Sequence, residues 1–159
     1  MVLEETVKSV EELFKRLDED ISKFQEASGL HCKWGCGACC LKPDIEATTL
    51  EFLPFAYHLY KEGNLEKWHG DLGQIESPIC AILHPAQGGA GLCSSYPQRG
   101  LICRLFGYSA RLNKYGKKEL ITCAIIKSEQ QAGYDKTVAS LDGGMEIPVM
   151  SQYYFQLHA

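Results

Sequence analysis

Apolar side chains fall at Leu3, Val7, Val10, Phe14, Leu17, Ile21 and Phe24, in alternating steps of four and three. That is the rhythm of a helix with one apolar seam. Charged residues, among them Glu4, Glu5, Lys8, Glu11, Glu12, Lys15, Arg16, Asp18, Glu19 and Asp20, fill its other faces. With ~1.5 Å of rise per residue such an element exceeds about 30 Å. Ser28-Gly29 supplies its C-terminal stop. The seam needs a partner, either the rest of the same chain or a second copy in a homodimer through residues 3–24. Packing within the chain is the expectation, because three heptads make a weak zipper alone.

Beyond a loop closed by Pro43, Thr48-Thr-Leu-Glu51 has the spacing of a capping box. Leu53, Ala56, Tyr57 and Tyr60 then predict a second helix, with Pro54 placed in its first turn. Gly63 closes it, and Asn64 caps a third helix with Leu65, Trp68, Leu72 and Ile75 on one side. Pro78 breaks that pattern. Residues 81–92 predict a short extended piece and a glycine-rich turn that lets the chain double back. Gly88, Gly89 and Gly91 lack the following Gly-Lys-Ser/Thr of a phosphate loop. Pro97 is expected to open a short helix reaching Phe106, and Asn113-Lys-Tyr-Gly116 to join a small hairpin. Ser128 would cap a further helix bearing Ala132, Val138 and Leu141, ended by Gly143-Gly144. Pro148 begins an aromatic tail with Tyr153, Tyr154 and Phe155. The pattern predicts a mainly α fold, a small helical domain with irregular cysteine-rich loops and a minor β-hairpin.

At 159 residues, one domain spanning 1–159 is the expectation: a long helix over 1–28, a cysteine-cluster region over 30–125, and a C-terminal helix and aromatic tail over 126–159. The formal net charge of −4 argues against a surface built to coat nucleic acid. No apolar run approaches the ~18–20 residues of a membrane span. The opening Met1-Val-Leu-Glu-Glu has neither a basic n-region nor an apolar h-region. A cytoplasmic address is therefore the expectation.

That address changes the meaning of the cysteines. In a reducing compartment, dense cysteine points to metal or redox work rather than to a disulfide framework. Of eight cysteines, Cys32, Cys36, Cys39 and Cys40 fall in one short stretch, with Gly35 and Gly37 letting the backbone turn back on itself. Cys80, Cys93, Cys103 and Cys123 lie in the second half. Soft thiolates in this number are the ligand set of zinc or of an iron–sulfur cluster of the 4Fe-4S type. All eight are candidate metal ligands. The neighbours Cys39 and Cys40 are the awkward pair, because adjacent side chains diverge. His31 and His84 are candidates to replace a sulfur, although each reads more simply as an ordinary polar residue. If all eight thiols ionised, the formal charge would fall from −4 to −12, and two divalent ions would restore it only to −8. Amide N–H groups and nearby cations must therefore ease the site. Lys33, Lys42, Arg99, Arg104 and Arg111 are the cations near cysteines, and Arg104, directly after Cys103, is the chosen cofactor-binding candidate.

The block Cys32-x3-Cys36-x2-Cys39-Cys40, then Cys80, Cys93 and Tyr96-x2-Arg99-x3-Cys103-Arg104-x-Phe106, resembles the YkgJ-type cysteine-cluster proteins. Those are described as zinc- or iron-chelating domains, and some bear the label Fe–S oxidoreductase. The resemblance covers residues 30–125 and implies metal binding without implying a particular reaction. It departs at Gly100, where the family usually has proline after the arginine.

Two functions compete. The first is a metal-binding protein holding an iron–sulfur cluster or zinc, in electron transfer, metal handling or as an accessory protein. The second is a protein-interaction module whose zinc only braces the fold, with the long helix or the aromatic tail meeting a partner. Whether the chain is an enzyme is left open: the residues lean against it, while the resemblance leaves room for an Fe–S oxidoreductase-type role. Cys32-x3-Cys36-x2-Cys39 has radical-SAM spacing, but Ala38 stands where that loop has an aromatic, and the helices are not interleaved with strands. No Cys/His pair for thiol catalysis can be picked out from the sequence.

Overall fold

Helix α1 (Val2–Ser28) realises the apolar seam. Val7, Val10, Phe14, Leu17, Ile21 and Phe24 are buried, and Leu13 joins them. Leu3 does not share that burial: it lies in the first turn and stays 53% exposed. The helix ends where expected, with Gly29 at φ 72° donating its N–H to the Gln25 carbonyl at 2.8 Å. A left-handed residue just past the last turn satisfies an otherwise orphaned carbonyl, and glycine adopts that conformation without steric cost.

In this computed structural model residues 2–76, 79–85 and 91–159 are described. The expected break at Pro78 and the turn glycines Gly88 and Gly89 lie outside them. The contacts group into two units, Met1–Val10 with Lys33–Gly100, and Glu11–Cys32 with Leu101–Ala159.

In the first unit, the capping box forms at Thr48. The Glu51 carboxylate accepts from the Thr48 N–H at 2.8 Å and from its hydroxyl at 3.2 Å. The box opens a 3₁₀ turn (Thr49–Phe52), and α2 (Leu53–Lys61) begins after that turn with Pro54 near its start. Helix α3 (Leu65–Leu72) stops before Ile75. Its expected apolar side is largely in solvent, with Leu65, Leu72 and Ile75 exposed. Trp68 is the exception, meeting Phe55 edge-on at 5.2 Å. Strands β1 (Leu83–Pro85) and β2 (Gly91–Cys93) pair antiparallel with Leu83 opposite Cys93. The chain does double back, and this pair of strands adds a second hairpin to the single one expected. A small core of Phe55, Leu59 and Ile82 has Phe52, Trp68, Cys80 and Cys93 packed on it.

The short helix expected from Pro97 to Phe106 is interrupted. Tyr96–Gln98 form a 3₁₀ turn, Arg99 is extended, and α4 covers only Leu101–Leu105. In the second unit, strands β3 (Ser109–Leu112) and β4 (Lys118–Ile121) make the expected hairpin. Asn113 organises its turn, its side-chain oxygen accepting from the N–H groups of Tyr115 and Lys117. Helices α5 (Ala124–Glu129) and α6 (Gln131–Asp142) meet at Gln130. Ser128 therefore lies inside α5 and does not cap α6; Leu141 is buried whereas Ala132 and Val138 face solvent. The aromatic tail is itself a helix, α7 (Met150–His158). It buries Tyr153 and Leu157, and the Tyr153 hydroxyl donates to Asp20 at 2.6 Å. The core here is Phe24, Leu30, Ala110, Ile126, Leu141 and Ile147. The fold is mainly α, as the pattern predicts. No helix among the described residues is long and apolar enough to cross a membrane.

Candidate metal centre

The cysteine loop is bent by two glycines. Gly35 at φ 69° ends a turn in which the Cys36 N–H reaches the Lys33 carbonyl, and Gly37 at φ 57° opens the 3₁₀ turn Ala38–Leu41. This turn carries Cys39 and Cys40. Their sulfurs stand 4.0 Å apart, so these neighbouring side chains do not diverge as expected. A tetrahedral zinc with Zn–S of ~2.3 Å has its sulfurs about 3.8 Å apart, and the pair spans close to one edge of such a site. The Cys80 N–H then bonds the Cys40 carbonyl at 3.1 Å and brings the segment before β1 against the turn. The Cys40 thiol also hydrogen-bonds the Cys80 sulfur, and Cys93 lies within electrostatic reach of both Cys80 and Cys39. The first unit thus gathers Cys39, Cys40, Cys80 and Cys93.

Backbone amides support these sulfurs. Cys80 accepts from the N–H group of Ile82 and Cys93 from that of Ser95. A sulfur two residues before a free N–H in a tight turn receives the partial positive charge that a thiolate needs. The same bond recurs in the second unit, where Cys123 caps α5 and accepts the Ile125 N–H at 3.3 Å.

These contacts sort the thiols. The Cys39 thiol is drawn down to about 6, first because Cys40 donates a hydrogen bond to it. Cys80 is drawn down to about 6 by the same donor. Cys40 moves strongly upward, since its proton is shared with both neighbours. Burial pushes Cys93 up, while the Ser95 amide and Arg99 oppose that.

Of the cations expected to ease the site, Arg99 acts on Cys93 and is held by stacking over the Tyr96 ring at 3.9 Å. Arg104 is not a surface residue. At 4% exposure its guanidinium pairs with Asp18 and lies over the Phe14 ring at 4.7 Å. Arg111 pairs with Glu119 across the hairpin at 2.9 Å.

Cys36 is half-buried in the first unit's loop. Cys32 and Cys103 are exposed in the second unit. The Cys32 N–H is held by the Tyr108 hydroxyl, and Gln130 clamps the preceding His31 through both its N–H and its carbonyl, at 3.1 and 2.7 Å. The His31 ring Nδ1 lies 3.1 Å from the Gly29 carbonyl, and His84 sits in β1 opposite Leu92. Tyr108, Gln130 and the amide-to-sulfur turns have no signature in spacing, so the sequence did not single them out. All eight cysteines are free thiols, which excludes the disulfide framework in this structure. Among the described residues, no three His, Cys, Asp or Glu side chains come together closely enough to hold a metal ion. The donor set nevertheless suits a thiophilic ion, being all sulfur, with Cys40 against both Cys39 and Cys80 and with amide donors at hand.

No curated protein and no solved structure matches the chain. Residues 31–131 match the family CxxCxxCC, described as "putative zinc- or iron-chelating domain", which supports metal binding as the general activity. The match takes in every cysteine and most of the chain, and the protein belongs to this cysteine-cluster family.

Proposed function

We propose that this is a thiolate metal-binding protein that holds zinc or an iron–sulfur cluster through its clustered cysteines. Cys39, Cys40, Cys80 and Cys93 are the ligand group of the first unit, with Cys36 available beside them in sequence. Cys32, Cys103 and Cys123 supply sulfur in the second unit. The carrying observation is that Cys40 lies against Cys39 and Cys80, with Cys93 in electrostatic reach and amide N–H groups aimed at the Cys80 and Cys93 sulfurs. Such donors favour anionic sulfur, and they contribute most once a cation completes the charge balance. Arg99 tunes the electrostatics at Cys93. Arg104 fixes α4, the helix that carries Cys103, by pairing with Asp18. The chain works as a single domain in the cytoplasm, in electron transfer, metal handling or as an accessory protein.

A bracing role for zinc within an interaction module is the second reading. Trp34, inside the cysteine loop and 88% exposed, favours it, as does the exposed Phe155 on α7. Metal analysis and an absorption spectrum on protein purified without air separate the two. Brown, reducible protein with iron and sulfide supports electron transfer. Colourless protein with stoichiometric zinc supports bracing. Protein prepared this way without bound metal would sink both.

A further inference from the structure

Cys40 lies against two other sulfurs, those of Cys39 and Cys80, and the backbone selects which of the two it can join. The Cys80 N–H bonds the Cys40 carbonyl at 3.1 Å. With ordinary bond lengths, a single backbone hydrogen bond of this length holds the two Cα atoms within roughly 4.5–6.5 Å, inside the ~4.4–6.8 Å span of a disulfide. The Cys40 thiol already hydrogen-bonds the Cys80 sulfur. Cys39 also touches Cys40, at 4.0 Å, but a disulfide between sequence neighbours strains the planar peptide between them. Neither Cys40 nor Cys80 is sealed from solvent.

We propose that Cys40 and Cys80 form a redox-modification site, a thiol pair that a peroxide closes to a disulfide. In the first step one thiol reduces the peroxide, giving a sulfenic acid and one water. In the second the other thiol attacks the sulfenic sulfur, forming the S–S bond and releasing a second water. Two thiols are oxidised, and the peroxide is reduced to two waters. The product ties the turn Ala38–Leu41 to the segment leading into β1. A sulfur in a disulfide is no longer a thiolate ligand, so bound metal and the disulfide exclude each other. That exclusion rests on the thiolate-site reading above, whereas the pairing does not.

The test treats the full-length reduced protein with hydrogen peroxide, with and without prior metal removal by a chelator. Remaining thiols are then alkylated, and linked peptides are assigned by fragmentation in a mass spectrometer. The expected result is a dominant Cys40–Cys80 link, lost in Cys40→Ser and retained in Cys39→Ser. In metal-loaded protein, zinc or iron should appear in solution in step with that link. A dominant link between any other pair, or no link in chelated wild-type protein, overturns the proposal. Protein that carries no metal but still forms the Cys40–Cys80 link defeats the metal-site reading and leaves the pairing standing. Protein that carries metal but never forms the link does the reverse.

Discussion

At the scale of single residues, the site is a distribution of few protons over several sulfurs. Cys40 keeps its proton because Cys39 and Cys80 both accept it, and for the same reason those two ionise early. A thiolate, not a thiol, reacts with alkylating agents. Alkylation of chelated, reduced protein should therefore rise at Cys39 and Cys80 with a midpoint near pH 6, while Cys40 and Cys93 lag. Site-resolved mass spectrometry over a pH series reads this, and one shared midpoint near the ordinary ~8.5 would refute the sorting. The stability consequence has a definite sign. Both folded values lie below the ordinary thiol value, so the contribution is present above that ordinary value. It is lost as pH falls through about 6. The sequence placed Cys39 and Cys40 side by side and suggested that they diverge. It could not show a 3₁₀ turn opened by a left-handed Gly37, which sets the two sulfurs 4.0 Å apart.

At the scale of elements, legibility depended on period and length. Helix α1 was readable because its seam repeats over many turns and its stop is a glycine. Replacing Leu17 by Ala should cost roughly 2–5 kcal/mol, because Leu17 is fully buried. Leu3→Ala should stay within about 0.5 kcal/mol, since Leu3 is exposed. Denaturant unfolding of the two variants checks the pair, and a large loss at Leu3 would imply a partner covering the first turn. Helix α3 misled for the opposite reason. Four apolar residues at helical spacing do not say whether anything packs against them, and Trp68 is the one that met an aromatic neighbour among the described residues. The break between Tyr96 and Leu101 was equally hidden, although Gly100 explains it. A Cβ there would sit 2.8 and 2.9 Å from carbons of the Phe52 ring and 3.4 Å from the Glu51 Cβ. Glycine lets this strip of chain lie directly on the turn that carries the fully buried Glu51. Gly100→Ala should destabilise by about 1–3 kcal/mol, measured by thermal or denaturant unfolding. Phe52→Leu should relieve part of that loss in a double-mutant cycle, whereas additive losses would remove Phe52 as the cause.

At the scale of the whole molecule, the cysteines divide unevenly between the units. Cys36, Cys39, Cys40, Cys80 and Cys93 belong to the first, and Cys32, Cys103 and Cys123 to the second. Sequence order concealed this, because Cys32 and Cys36 are near neighbours along the chain and yet fall in different units. The division matters because the first unit carries a small apolar cluster, Phe55, Leu59 and Ile82, with Cys80 and Cys93 packed directly on it. On the thiolate-site reading proposed above, metal-binding energy there would also serve as folding energy. If metal stands at ~1,000 times its dissociation constant, binding adds about 4 kcal/mol, on the order of 10 °C in melting temperature for a chain of this length. Chelation should therefore lower the melting temperature by that order. Cys36→Ser and Cys103→Ser should each lose metal and thermal stability together, the first probing the larger sulfur group and the second the smaller. Metal content by elemental analysis and melting by calorimetry, run on the same samples, test the coupling. A variant that keeps both identifies its cysteine as a spare. If both variants kept both, thiolate binding would not be what holds the first unit together, and its stability would have to come from its apolar packing and backbone hydrogen bonds.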